Sequence, residues 1–408
     1  MKGDGFAWRH VGAVFRKELL DTSRDRRTWF GMVIMPLVLV PLLLLAMPTV
    51  FEGQRERIRQ TTLKVAVSGV AHHPPLVEHL RRQDGLEVVV EPTDPRTDLS
   101  ERRVHVILFL PEGMTADLAT GVPAQVKMAY DATDQTSEAA LGRLNQALAA
   151  YAGQVVAQRL QDRGVDPRLL NAFNWSVDNL APPQRMIGFA LSMIMPMMLG
   201  MWATLGGLYA AIDAAAGEKE RGTLEPLLAT PPSRSALVLG KYLTVVLTSL
   251  VAAGISLLGM VIAFLIRPDA LLGPTVTGKA SLAQVLPLPA LGVIFLVSLG
   301  LAGVFSALQL AVSLYARTFK EAQTYLSPLS LVIVMPSIFT QFLPPDQVPA
   351  WFFYVPVLNS LMVYKQALMG MVDARHLLVT LAVSLVGIRL SLGFAVASFR
   401  RERVIFRT

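Results

Sequence analysis

The sequence predicts an α-helical polytopic membrane protein with a small α/β domain inserted between its first two membrane-spanning helices. Three observations lead to this fold class: several long apolar runs, few charged residues, and one long polar insert with mixed helix and strand patterns. Of the 408 residues, 53% are hydrophobic and 16% are charged, whereas soluble domains average about 25% charged residues. The chain contains no cysteine, which excludes disulfides, thiolate metal sites and a cysteine nucleophile.

Residues 1–28 predict an amphipathic elbow helix at the membrane surface. Trp8, Val11, Phe15 and Leu19 recur at helical spacing, and basic residues occupy many of the other positions. A helix of this kind lies in the headgroup region with its basic face outward. An ordinary basic segment beside the membrane is the alternative interpretation.

Long apolar runs with few or no charges predict six membrane-spanning helices, because a helix needs about 20 apolar residues to cross a bilayer. The predicted spans are Trp29–Val50, Met186–Ile212, Ala236–Ile266, Leu288–Ala316, Ala322–Phe342 and Leu377–Phe399. The domain bounds that follow are 29–50 for the first span and 185–408 for a region with five more. Within that region, residues 344–370 hold an aromatic cluster and a run too short to span, which predicts short outer helices that dip into the membrane or lie flat on it. A simple interfacial loop is the alternative.

The insert, residues 51–184, is long enough to form a domain. Its alternating pattern predicts a small α/β fold followed by a long helix. The predicted strands are Leu63–Val67, Leu86–Val90, Val104–Leu110 and Ala124–Ala129, and the predicted helices are Pro75–Arg82, Glu112–Ala119 and Ser137–Arg163. His72, His73 and His79 lie close together in the sequence, but no carboxylate has ligand spacing, so we expect a surface histidine cluster and no metal site.

Basic residues indicate the orientation of the chain. Residues 1–28 carry seven Lys or Arg, and further basic residues follow the second, fourth and sixth spans. The positive-inside rule therefore places both termini in the cytoplasm and the insert, with a net charge of −3, outside the cell membrane. The net charge of +7 is thus a topology signal, and we expect no nucleic-acid partner.

No segment predicts an enzyme active site. All six histidines lie outside the span centres, and no H-E-x-x-H motif occurs. Gly273–Lys279 has the spacing of a phosphate-binding loop, but position 280 is Ala and no soluble strand precedes it. We therefore predict no catalytic residue, no metal site and no cofactor on this chain.

The polar segment between the second and third spans, residues 213–235, predicts a docking element. It is charged, begins as a helix, and is stopped by Pro231 and Pro232. Its letters resemble the cytoplasmic coupling segment of type-2 ABC transporter permeases, in which E-x-E-R-G-T-L-E-x-L-L-x-T-P is followed by G-K. The matching residues are Glu218, Glu220, Arg221, Gly222, Thr223, Leu224, Glu225, Leu227, Leu228, Thr230, Pro231, Gly240 and Lys241.

The resemblance covers nearly the whole chain. Phe15–Leu43 and Phe399–Phe406 resemble the opening and ending of the NatB-like branch, which is named for sodium-extruding permeases. The resemblance implies a permease subunit of an ATP-driven exporter in the plasma membrane, paired with a second permease copy or a related permease. ATP and Mg²⁺ would bind a separate ATPase, which would contact the matching residues of the coupling segment. The cargo would be sodium ions, or else a drug, lipid or peptide. A membrane receptor or scaffold that binds a ligand through the insert is the alternative function.

Polar residues inside the predicted spans are candidates for a transport pathway, since unpaired polar groups in lipid are costly. We single out Arg389 in the sixth span, Gln309 in the fourth and Gln323 in the fifth. Hydrogen bonding between helices is the alternative explanation for the two glutamines.

Overall fold

A computed structural model describes residues 8–91, 94–166, 183–228, 230–267 and 286–400. Contacts divide the chain into two units: Met1–Pro48 together with Leu180–Thr408, here called the membrane unit, and Thr49–Asn179, here called the α/β unit. The phosphate-loop-like stretch Gly273–Lys279 lies outside the described residues.

Six helices in the described residues are long and apolar enough to cross a membrane, as the sequence predicts. They are Arg26–Ala46, Met195–Glu220, Arg234–Ile266, Leu288–Ser313, Phe319–Gln341 and Ala374–Phe399. The predicted start of the second span, Met186, is wrong, because Pro183–Ser192 is a separate helix. The next helix begins at Met195 with Pro196 in its first turn, where the missing N–H of proline is tolerated.

Several spans consist of successive helical segments. The first span joins Arg26–Trp29 to Met35–Gln60 through a π turn at Phe30–Ile34. The second joins Met195–Leu205, Leu208–Ile212, a π turn at Asp213–Gly217 and Glu218–Glu220. The fifth joins Phe319–Leu326 to Leu329–Gln341. The third and fourth are continuous, and the sixth is part of the helix Ala374–Arg400.

The region 344–370 contains two short helices, as the sequence predicts. Ala350–Tyr354 is a 3₁₀ helix, and Leu358–Leu368 is an α-helix whose residues from Asn359 onward are all buried. Within that helix, Lys365 Nζ donates to the carbonyls of Thr340, Gln341 and Leu343 at 2.9–3.1 Å. A buried cation thus satisfies the free carbonyls at the end of the fifth span, where the helix dipole favours positive charge.

The α/β unit contains a four-stranded sheet in the order β2-β1-β3-β4. Its strands are β1 (Leu63–Ser68), β2 (Leu86–Val90), β3 (Val106–Phe109) and β4 (Lys127–Tyr130), and its helices are Pro74–Arg81, Pro95–Ser100, Met114–Thr120 and Gln135–Asp162. β1 pairs in parallel with β2 and β3, whereas β4 pairs antiparallel to β3. The long helix Gln135–Asp162 buries Ala140, Leu144 and Ala147 in the core of this unit.

The α/β pattern is confirmed, with two local corrections. β4 begins at Lys127 rather than at Ala124, because Pro123 and the exposed residues beside it precede the paired register. The helix Pro95–Ser100 was not predicted, although Asp94 caps it and Pro95 occupies its first position.

The predicted surface histidine cluster is wrong for His73, which is buried. Its Nε2 atom lies 2.6 Å from the Tyr151 hydroxyl, and its Nδ1 atom lies 2.9 Å from Thr115 Oγ1. Burial lowers the pKa of His73, which favours the neutral ring. No group of three or more metal-ligating side chains occurs in the part of the chain that the structure describes.

Candidate coupling site

The predicted docking element, residues 213–235, overlaps the end of the second span and contains two short helices separated by a tight turn. The first helix, Glu218–Glu220, is the last part of that span, and the turn follows at Gly222, whose φ of 72° lies in the left-handed region that glycine adopts without strain. A second helix, Leu224–Leu228, follows, and Ser233 then caps the third span by accepting from the N–H of Ala236. Gly222 therefore provides the predicted turn.

Four charged side chains form a charge cluster at the base of this segment: Glu18, Glu218 and Lys241, which are buried, and Lys17, whose side chain is 45% exposed. Lys241 is fully buried, and its Nζ atom lies 2.8 Å from Glu18 Oε1 and 2.7 Å from Glu218 Oε2. Lys17 Nζ lies 2.6 Å from Glu218 Oε1 and 3.0 Å from Glu18 Oε1. The cluster thus connects the N-terminal helix, the coupling segment and the third span.

Gly240 explains how the N-terminal helix, Trp8–Arg24, comes so close to the third span. A Cβ atom at Gly240 would lie 2.7 Å from Val14 Cβ, a distance that real Cβ atoms do not reach. Without a side chain at this position, the two helices pack directly against each other. The next residue, Lys241, then meets Glu18 on the same buried face as Val11 and Val14.

The cluster contains two lysines and two glutamates, so its formal charges cancel. Burial alone would lower the pKa of Lys17, but its hydrogen bonds and attraction to Glu218 and Glu18 outweigh burial and raise that pKa above its usual range. Lys17 therefore stays protonated at neutral pH. A buried ion contributes to stability only when its partners are present, because removing one partner leaves an unpaired buried charge, which lowers the free energy of unfolding by several kcal/mol.

Two further contacts fix the position of the coupling segment, one to the second span itself and one to the fifth span. Arg221 makes two hydrogen bonds to Asp213, from Nη1 to Oδ1 at 2.7 Å and from Nη2 to Oδ2 at 3.2 Å. The hydrogen bond to Asp213 raises the pKa of Arg221. Glu220 Oε2 accepts from the backbone N–H of Phe319 at 2.7 Å, which connects the segment to the start of the fifth span.

Two of the predicted ATPase-contacting residues are buried within this chain. Glu218 is 3% exposed and Leu224 is 2% exposed. Glu218 faces inward because it pairs with Lys241. That these two side chains contact an ATPase stays a prediction. The residues that remain exposed are Glu220, Arg221, Gly222, Thr223, Glu225, Thr230 and Pro231, and Leu227 is half-buried. The structure does not describe the side chain of Leu228.

The sequence interpretation missed the role of Lys17, Glu18 and Asp213, and it assigned Lys241 only to a motif. The burial of Glu18 could have been predicted from the sequence, because Val11, Val14 and Glu18 follow helical spacing and form the buried face of the helix. Of the predicted apolar stripe, Val11 is buried, Phe15 and Leu19 are half-buried, and Trp8 is 71% exposed.

The three candidate pathway residues differ in their surroundings. Gln309 is fully buried, and its Nε2 atom donates to the carbonyl of Thr204 at 2.7 Å, which matches the helix-bonding alternative. Gln323 and Arg389 are exposed on the membrane unit. The structure therefore does not bury all three in one pathway.

Comparison with known proteins identifies relatives over nearly the full length. A sequence model of the family described as "ABC-2 family transporter protein" matches residues 26–397. The ABC transporter permease protein NatB of Bacillus subtilis (strain 168) is 28% identical over 390 residues, which cover 96% of this chain and 98% of that protein.

Proposed function

Because the chain belongs to the ABC-2 transporter family, we propose that it is the membrane-spanning permease subunit of an ATP-driven exporter. The observation that carries this proposal is the coupling segment, in which the short helix Leu224–Leu228 exposes Glu225 and leaves Leu227 half-buried while Glu218 anchors the base. A short helix that is anchored at its base can be displaced by a partner without unfolding. ATP and Mg²⁺ would bind the separate ATPase.

In the proposed mechanism, closure of the ATPase dimer pushes on the exposed face of the helix Leu224–Leu228. The charge cluster passes this displacement to the N-terminal helix and to the third span, because its ion pairs hold all three elements together. The Glu220–Phe319 hydrogen bond extends the same displacement to the fifth span. The spans would then alternate between inward-open and outward-open states. Six spans would form half of a pathway, completed by a second permease copy or a related permease.

Sodium ions are the proposed cargo, on the resemblance to the NatB-like branch, with a drug, lipid or peptide as the alternatives. A receptor or scaffold function is the second candidate. It draws support from a cavity of about 510 Å³ in the α/β unit, lined largely by apolar side chains such as Leu76, Met114 and Leu148. This volume is in the range of small-molecule sites.

Reconstitution separates the two functions. The chain and its ABC ATPase, reconstituted together in proteoliposomes, are expected to move cargo only when ATP and Mg²⁺ are present. Radioactive sodium is the first cargo to measure, followed by fluorescent drugs, lipids and peptides. A chain that binds a ligand through the α/β unit but neither binds the ATPase nor supports flux would favour the receptor function.

We further propose that both termini are cytoplasmic in the inner (plasma) membrane and that the α/β unit lies outside. This follows from the positive-inside rule and from the even number of spans. A reporter that is active only outside the cytoplasm should work when fused at Thr133 and fail when fused at Ser233. The opposite result at either position would contradict the proposed orientation.

Arg389 is proposed to contribute to the transport pathway. It is exposed in the sixth span, and no ion pair to it is present in the described residues. We expect Arg389→Leu to reduce flux several-fold while leaving the thermal unfolding temperature close to that of the wild type. Arg375→Leu, at the exposed start of the same helix, is the matched control and should retain flux. Wild-type flux in Arg389→Leu would exclude the pathway role.

A further inference from the structure

A groove of about 420 Å³ lies on the membrane unit, and it shares one residue with the coupling mechanism, Phe319, whose backbone N–H donates to Glu220. It lies where the first span and the fifth span begin, and the second span contributes one wall. Three cations, Arg26, Arg27 and Lys320, line it together with three aromatic rings, those of Phe30, Tyr209 and Phe319. We call this feature the basic groove.

The positive charge of the basic groove is not neutralised by its own lining. All three cations are exposed, none forms an ion pair in the described part of the chain, and no lining residue is acidic. The nearest carboxylates line an adjoining pocket: Asp25 accepts from the N–H groups of Arg27 and Thr28, Glu220 accepts from the N–H of Phe319, and Asp213 pairs with Arg221. A groove that is lined by cations without acidic partners attracts an anionic ligand.

The aromatic rings give the groove a defined shape. The guanidinium carbon of Arg27 lies 5.3 Å from the centroid of the Phe319 ring, and that ring stacks on Tyr209 with an interplanar angle of 8°. A cation held over a ring face has fewer conformations to lose when it binds an anion. Phe30 is 51% exposed beside the cations, so an apolar surface continues from the charged one into the first span.

We propose that the basic groove binds the phosphate headgroup of an anionic phospholipid. Arg26, Arg27 and Lys320 would contact the phosphate oxygens, since hydrogen bonds between a cation and a phosphate are stronger than those between neutral groups. The upper part of an acyl chain would lie against Phe30. A lipid is favoured over a free phosphate ion because the groove lies at the start of two spans and combines cations with an apolar surface.

The test measures lipid binding to the purified full-length chain in detergent. Native mass spectrometry with added dioleoyl phosphatidylglycerol, and with dioleoyl phosphatidylcholine for comparison, reports the number and affinity of bound lipids. We expect one tight phosphatidylglycerol site in the wild type and roughly a hundredfold weaker binding in Arg26→Gln/Arg27→Gln/Lys320→Gln, since each surface cation attracts an anionic lipid. The matched control, Arg9→Gln/Arg16→Gln/Arg24→Gln, removes the same charge from the exposed face of the N-terminal helix and should keep the site.

A second variant tests the acyl contact. Phe30→Ala leaves all three cations in place, so it should weaken phosphatidylglycerol binding by a smaller factor than the triple variant. The proposal is overturned if phosphatidylcholine binds as tightly as phosphatidylglycerol, or if the control variant loses the site as completely as the groove variant. It is also overturned if inorganic phosphate alone displaces the bound lipid, because the ligand would then be a free anion.

Discussion

Lys241→Met is expected to lower the free energy of unfolding of the membrane unit by about 3–5 kcal/mol, the cost of breaking a buried ion pair by removing one partner. Methionine has nearly the length of lysine and fills the same space, so the effect comes from charge rather than from a cavity. Glu18 and Glu218, both nearly fully buried, would face each other with only Lys17 between them. Thermal unfolding in detergent, followed by fluorescence-detected size-exclusion chromatography, measures the loss.

Two further variants show whether the stranded charges are the cause. Lys241→Met combined with Glu18→Gln and Glu218→Gln should recover part of the lost stability, because the uncompensated negative charges are removed. Lys320→Met changes an exposed lysine of the same unit and should leave the unfolding temperature nearly unchanged. If Lys241→Met is as stable as the wild type, the four side chains are not the structural connection proposed here.

Glu225→Ala combined with Leu227→Ala is expected to abolish co-purification of the ATPase without destabilising the chain. Glu225 is exposed and Leu227 is half-buried on the short helix Leu224–Leu228, so truncation removes contacts to a partner rather than to the core. Hot-spot truncations cost about 2 kcal/mol or more each, which corresponds to at least tens-fold weaker binding. A pull-down of the ATPase at matched membrane expression measures the effect.

A conservative variant is the control for this second result. Glu225→Gln with Leu227→Met keeps side-chain size at both positions and should retain most of the ATPase binding. Glu218→Gln should behave differently from both, with a lower unfolding temperature, since Glu218 is buried in the charge cluster. Wild-type binding and ATP-dependent flux in the double alanine variant would mean that this helix is not the coupling element.

The sequence predicts the spans and the α/β pattern well because both depend on local periodicity. A helix of about 20 apolar residues or an alternating strand is visible in a short window. The turn at Gly222 was predictable for the same reason. The bounds of the second span were less predictable, since Pro196 could lie inside a helix or begin one, and the neighbouring helices decide which occurs.

The charge cluster and the burial of His73 could not be predicted from local patterns. Glu18 and Lys241 are 223 residues apart, and His73 meets Tyr151 across 78 residues. A charged residue in a membrane-surface helix or in a polar segment normally has a solvated side chain. Only tertiary packing, such as the approach of Val14 to Gly240, reveals that these side chains are enclosed.

The separation between Glu18 and Lys241 also has a consequence for biosynthesis. At about 5–20 residues per second, a ribosome needs roughly 10–45 seconds to make the intervening chain. During that interval the nascent N-terminal helix carries Glu18 without the lysine that encloses it, so this helix cannot reach its final position before the third span has been made. A chain that terminates before Lys241 would leave Glu18 with Lys17 as its one lysine partner from the charge cluster.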